Sequence, residues 1–235
     1  MRMAEAHDVV GGGRLTVVAT GARRGLVNAG RLVGHSDLAI GYAVVLVGVT
    51  VVLLILGRTT YDDVVAASST NLANLRERPL TVLLASAFVV SSPWGLWLLP
   101  FLTLVYAAAQ RWVGRIATVV VAAFGHIGAT LVVATGLAAG IAHGNLSRAN
   151  VLHEIDVGVS YGLVCLAAFV VVRIPRRWRP LHLCVLIGYV ALPLILDPSF
   201  TGIGHCVALT IGGLLALLVT RVAKATDATG WRDKL

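Results

Sequence analysis

Six stretches of this chain, at about 38–56, 93–109, 116–139, 157–174, 181–196 and 203–219, are apolar and essentially free of charge. Each approaches the roughly 20 residues that a helix needs to cross about 30 Å of hydrocarbon. With 57% hydrophobic and only 13% charged residues, the 235-residue chain is too apolar for a soluble domain. The expected fold is all-α: a polytopic membrane protein of six spans, with both termini on one side. The run Leu80 to Ala109 holds 30 residues and as one helix would reach roughly 45 Å, so Ser91-Ser92-Pro93 is read as its break. Leu80 to Val90 is then too short to cross and is expected to dip into the membrane or lie at its surface, while a span starts at Pro93.

Basic residues give the chain a direction. Fifteen fall in the N-terminal arm, the 110–115 turn, the 173–179 turn and the C-terminal tail, whereas only Arg58, Arg76, Arg78 and Arg148 fall opposite, beside most of the acidic residues. This asymmetry predicts cytoplasmic N- and C-termini in the cell membrane. It also supports six spans, because one more crossing would invert every later loop. The expected organisation is a basic cytoplasmic arm over residues 1–36, a membrane domain over 37–220 and a cytoplasmic tail over 221–235. The net charge of +8 is spread over four cytoplasmic segments, which suits topology and anionic lipid headgroups rather than nucleic acid. No removable signal peptide is visible in the first 36 residues. Gly11-Gly12-Gly13 follows no strand and makes no phosphate-binding motif. Cys165, Cys184 and Cys206 all lie inside apolar runs, and are read as packing residues rather than a disulfide framework or metal site.

Two polar residues stand at matching depths. Ser160 lies three residues past Val157 and His205 two past Ile203, each about one turn or less below the outer end of its helix. Gly158 and Gly162 flank the serine, and Gly204, Ala208 and Gly212 recur every four residues below the histidine. Small residues let helices approach closely in lipid, so these two segments can meet and bring an alcohol to an imidazole. A hydroxyl is a poor nucleophile until a neighbouring base takes its proton, and Ser160 with His205 would be that pair.

The chain here resembles the rhomboid family of intramembrane serine proteases, over roughly residues 37–220. Gly158-Val159-Ser160 resembles the family's Gly-x-Ser-Gly motif at the start of the fourth helix. Gly204-His205, followed by Ala208 and Gly212, is similar to its histidine helix. Arg58 to Ser92 looks like its membrane-dipping first loop, and Gln110 to Arg115 resembles its Glu-x-x-x-Gly-x-Arg turn. The resemblance implies Ser160 as nucleophile and His205 as general base in a dyad without aspartate. A transmembrane protein substrate would enter from the lipid, and no cofactor or metal is implied.

The chain also departs from the family pattern. Tyr161 follows the serine where glycine is usual, and could close the pocket. Gln110 stands for glutamate. The second span begins Trp94-Gly95-Leu96-Trp97-Leu98, without the His-x-x-x-Asn pair that helps hold the oxyanion, so any hole depends on the backbone N–H groups of Val159 and Ser160 and a further donor. His126, deep in the third span, is read first as a structural hydrogen bond to a neighbouring helix, next, with Thr130 as the other candidate, as the replacement oxyanion donor, and last as a metal or haem ligand. Asp156 and Asp197 are read as solvated or, for Asp156, as a helix cap rather than a third catalytic member. Tyr161 and Tyr189 are read as packing or interfacial aromatics, and Trp94, Trp97, Trp112 and Trp178 as membrane-boundary belts. A catalytically inactive rhomboid-like pseudoprotease that binds transmembrane helices is the alternative, and a small transporter ranks last.

Overall fold

The computed structural model describes residues 32–34, 36–147, 155–196 and 198–228. Asp197, Arg148 and Glu154, most of the basic arm and the end of the tail lie outside the described residues. Every regular element among the described residues is helical: α1 (Asp37–Leu56), α2 (Arg58–Ser68), α3 (Leu72–Glu77), α4 (Pro79–Ala85), α5 (Leu99–Val113), α6 (Arg115–Ala142), α7 (Val159–Phe169), α8 (Arg179–Leu196) and α9 (Phe200–Ala228). A 3-10 turn over Pro93–Leu98 leads into α5, and another over Val170–Arg173 ends α7.

Five of these helices, counting the 3-10 turn with α5, are long and apolar enough to cross a membrane. In α1, a valine-rich run would favour strands in water, but in lipid the backbone must satisfy its own hydrogen bonds, which imposes the helix. Its buried residues, Ala39, Leu46, Thr50 and Leu53, form one stripe, while Val44, Val52, Ile55 and their neighbours are exposed as a lipid-facing surface would be. Reversals rest on glycine: Gly57 ends α1 at φ 107° and Gly114 turns α5 into α6 at φ 86°, a region that side chains with a Cβ avoid.

The fourth apolar segment differs in kind. With its 3-10 end it covers only Val159–Arg173, shorter than a lipid-exposed span needs. Every α7 residue from Tyr161 to Phe169 is buried, so its surroundings are protein, and its length answers to α6 and α9 rather than to bilayer thickness. α8 is the opposite case. Only Leu186 and Val190 are buried, Pro193 interrupts its hydrogen bonding, and most of its surface is open.

The loop over residues 57–92, called the outer loop after the side expected from the sequence, is built and tethered. Tyr42 donates its hydroxyl to the Ala87 carbonyl at 2.7 Å and Tyr61 to Val90 at 2.8 Å, so α1 and α2 hold the segment after α4. Leu80 and Leu84 on α4 are exposed, as expected of a segment resting against lipid. On the opposite side of the bundle, Asp37 accepts hydrogen bonds from Gln110 Nε2 at 2.7 Å and Arg115 Nε at 3.0 Å, with Arg115 paired to its second oxygen at 2.7 Å. Asp37 thus ties the start of α1 to the turn between α5 and α6.

Candidate active site

The start of α7 is held from above before any chemistry is considered. Thr70 N–H donates to the Asp156 carbonyl at 2.7 Å, Asp156 N–H to Ser69 Oγ at 2.8 Å, and Gly158 N–H to the Ser86 carbonyl at 3.0 Å. The outer loop therefore fixes where α7 begins. Gly158 is the cap residue and offers no side-chain bond to the first turn. Among the described residues, the N–H groups of Val159 and Ser160 meet no backbone acceptor, as expected of donors in the first turn of a helix.

Ser160 sits in that first turn, and His205 in the second turn of α9. Their approach is set by the small residues between the helices. A Cβ on Gly204 would fall inside the Tyr161 phenol, and one on Gly212 would strike the Cys165 carbonyl. Ala208 is fully buried. Gly162 does the same on the other side, where a Cβ would stand 3.4 Å from the Ala122 carbonyl oxygen and from the Tyr106 hydroxyl. The result is a separation of 2.9 Å between Ser160 Oγ and His205 Nε2, within hydrogen-bond reach. For Nε2 to accept the hydroxyl proton, the neutral ring must carry its own proton on Nδ1.

Tyr161 does not wall the pair apart. Its side chain is fully buried, and its ring meets the His205 ring edge-on, with centroids 5.2 Å apart at 77°. Tyr189 flanks the imidazole at 5.7 Å. The Tyr161 hydroxyl donates to Asp156 Oδ2 at 2.8 Å. Asp156 is accordingly no helix cap, contrary to expectation. Its carboxylate also accepts from Thr70 Oγ1 at 3.1 Å and Thr201 Oγ1 at 3.2 Å, joining the outer loop, α7 and α9. Cap geometry would aim it along the first turn of α7, but the pull of three hydroxyls turns it aside. Burial holds its carboxyl above the usual range for aspartate, against the opposing effect of those hydroxyls.

Ser160 and His205 open into a cavity of about 310 Å³. Its walls are mostly apolar, from Leu46 of α1, Leu96, Leu99 and Leu102 of the second span, and Leu163 of α7, with Ser91, Asp156, Tyr189 and Thr201 as further polar groups. Sequence reasoning passed over Ser91, read only as a break, and Thr201, whose sole signal was its place four residues before the histidine. The second span contributes Gly95, Leu96 and Leu98 to the wall but no side-chain hydrogen-bond donor, since Trp94 and Trp97 are 85% and 70% exposed.

His126 lies behind α7 and does not line the cavity. Its Nε2 donates to the Leu83 carbonyl at 3.0 Å and stands 3.1 Å from Ser86 Oγ. Its ring fills the space left by Gly158, where a Cβ would overlap it. This is the structural hydrogen bond read first from the sequence, made to the outer loop rather than to a spanning helix. Among the described residues, no cluster of His, Cys, Asp and Glu could hold a metal ion.

Residues 38–225 match the family model described as rhomboid-like protein. No curated protein and no solved structure matches the chain.

Proposed function

Because the chain belongs to the rhomboid-like family, we propose that it is an intramembrane serine protease in which Ser160 is the nucleophile and His205 the general base. The observation that carries this reading is the 2.9 Å contact between Ser160 Oγ and His205 Nε2 at the edge of a cavity beneath the outer loop. A transmembrane segment of the substrate, locally unwound, presents a carbonyl carbon to Ser160. His205 Nε2 takes the hydroxyl proton as the Oγ–C bond forms, and the resulting oxyanion is held by the free N–H groups of Val159 and Ser160. The proton passes from His205 to the leaving amine, and water, activated by the same imidazole, then releases the acyl group and restores Ser160. Gly158, Gly162, Gly204, Ala208 and Gly212 serve by allowing the helices to approach.

The charge asymmetry supports N- and C-termini on the cytoplasmic side of the cell membrane, with a basic arm over residues 1–36, the membrane domain over 37–220 and a tail over 221–235. Reaction with a fluorophosphonate probe tests the chemistry: the purified protein is expected to label and Ser160→Ala to remain unlabelled. Cleavage of a single-span model substrate is expected to disappear in His205→Ala. Equal labelling of wild type and Ser160→Ala would exclude Ser160.

One observation favours a second reading. The second span brings no side-chain donor to the cavity, and loss of an oxyanion donor can cost about 100- to 1000-fold in rate. A pseudoprotease would use the same helical bundle to hold transmembrane clients. It would bind a single-span helix equally well after Ser160→Ala and His205→Ala, and cleave none.

A further inference from the structure

A base with no carboxylate behind it must be oriented by something else. Nε2 of His205 faces Ser160, and among the described residues no side chain hydrogen-bonds Nδ1. The imidazole is instead placed by the two phenol rings beside it, Tyr161 and Tyr189. Of these, Tyr161 is the constrained one. Its ring occupies the gap that Gly204, the residue before the histidine, leaves open, and its hydroxyl ends on Asp156 Oδ2 at 2.8 Å. Asp156 is itself held by Thr70 and Thr201, and its backbone by Ser69 and Thr70. A rotation of the phenol would therefore have to break its hydrogen bond to Asp156 and enter space that α9 already fills.

We propose that Asp156 is a positioning residue which, by anchoring the Tyr161 hydroxyl, holds the Tyr161 ring against His205 and so keeps Nε2 turned to Ser160. The carboxylate acts at one remove, through a phenol edge, without touching the base. This rests on the dyad reading above. It makes the tyrosine after the nucleophile part of the site's support rather than an obstruction, and it requires a hydrogen-bond acceptor at position 156, not a negative charge.

The test measures the rate of fluorophosphonate labelling of the full-length protein in detergent. Tyr161→Phe keeps the ring and loses only the hydroxyl, while Asp156→Ala loses the acceptor. Each is expected to label about tenfold more slowly, the scale of one hydrogen bond. The double variant is expected to be no slower than either single one, because both remove the same bond. Asp156→Asn, whose carbonyl still accepts, is expected to recover most of the rate. A purely structural role would lower the unfolding temperature of all the variants without this pattern in the rates. If Ser160→Ala is unlabelled while Tyr161→Phe labels at the wild-type rate, the positioning role is wrong and the dyad stands. Asp156→Asn as slow as Asp156→Ala would likewise overturn it. Labelling that persists in Ser160→Ala removes the dyad and the positioning role with it. Should Asp156→Ala not fold, Tyr161→Phe alone decides.

Discussion

Gly212 and Gly213 are neighbours in α9 with opposite surroundings, and that contrast gives the sharpest test of how the site is assembled. A Cβ at Gly212 would overlap the Cys165 carbonyl oxygen and lie 2.9 Å from both the Cys165 carbonyl carbon and Ala168 Cβ, whereas a Cβ at Gly213 meets nothing within 4 Å. Carbon atoms prefer separations of about 3.5–4.0 Å, so Gly212→Ala is short by roughly 0.6 Å or more. The obstacle is backbone and cannot rotate away, so α7 and α9 must separate by roughly 1 Å. Overpacking of this kind costs about 1–3 kcal/mol. In a chain of this size each kcal/mol lowers the unfolding midpoint by about 2–4 °C, so a central loss of roughly 4–8 °C is expected. The chemistry should suffer more. Ser160 and His205 sit on the same two helices at 2.9 Å, and a misplacement of about 1 Å can cost on the order of 100-fold in rate. Gly213→Ala should leave both quantities near wild type. Thermal unfolding in detergent and fluorophosphonate labelling read them out. Indistinguishable midpoints and rates for the two variants would show that close approach of α7 and α9 does not build the site.

Two other perturbations have signs fixed by the structure. Gly158→Ala places a methyl group where the His126 ring lies, so His126 must leave Leu83 and Ser86. Amides of residues 79–88 should then exchange hydrogen faster, and unchanged exchange would show that His126 does not hold the outer loop. The Asp156 carboxyl titrates above its unfolded value of 3.8, so just above that pH the folded protein binds more protons than the unfolded chain, and stability falls as pH rises through the window. Asp156→Asn removes this term. Its stability relative to wild type should therefore grow as pH is raised from about 4 and level off once wild-type Asp156 is fully ionised. A difference that stays constant with pH would exclude the effect.

Much of the proposed site was legible because membranes restrict what residues can do. Ser160 and His205 stood out as polar residues at equal depth in segments otherwise devoid of them, and glycine spacing marked the faces through which those segments would meet. The same logic misjudged Asp156. Beside an apolar run it reads as a cap, since nothing local reveals that Thr70, 86 residues earlier, and Thr201, 45 residues later, bring hydroxyls to it. Tyr161 was legible as a departure from pattern but not in its direction. Whether a phenol blocks a serine or supports a histidine depends on a gap at Gly204, on another helix.

Hydropathy, charge asymmetry and small-residue spacing on their own determine a helical membrane bundle, its division into apolar segments and the two residues proposed for acyl-transfer chemistry. These are short-range properties, imposed on each segment by the cost of leaving polar groups unsatisfied in lipid. Only the tertiary structure decides that the fourth segment is short because it is enclosed by protein, that Asp37 reaches Gln110 and Arg115 across the bundle, and that Asp156 faces a phenol. Those outcomes depend on contacts between residues far apart in the chain, where the space left by one side chain selects the orientation of another.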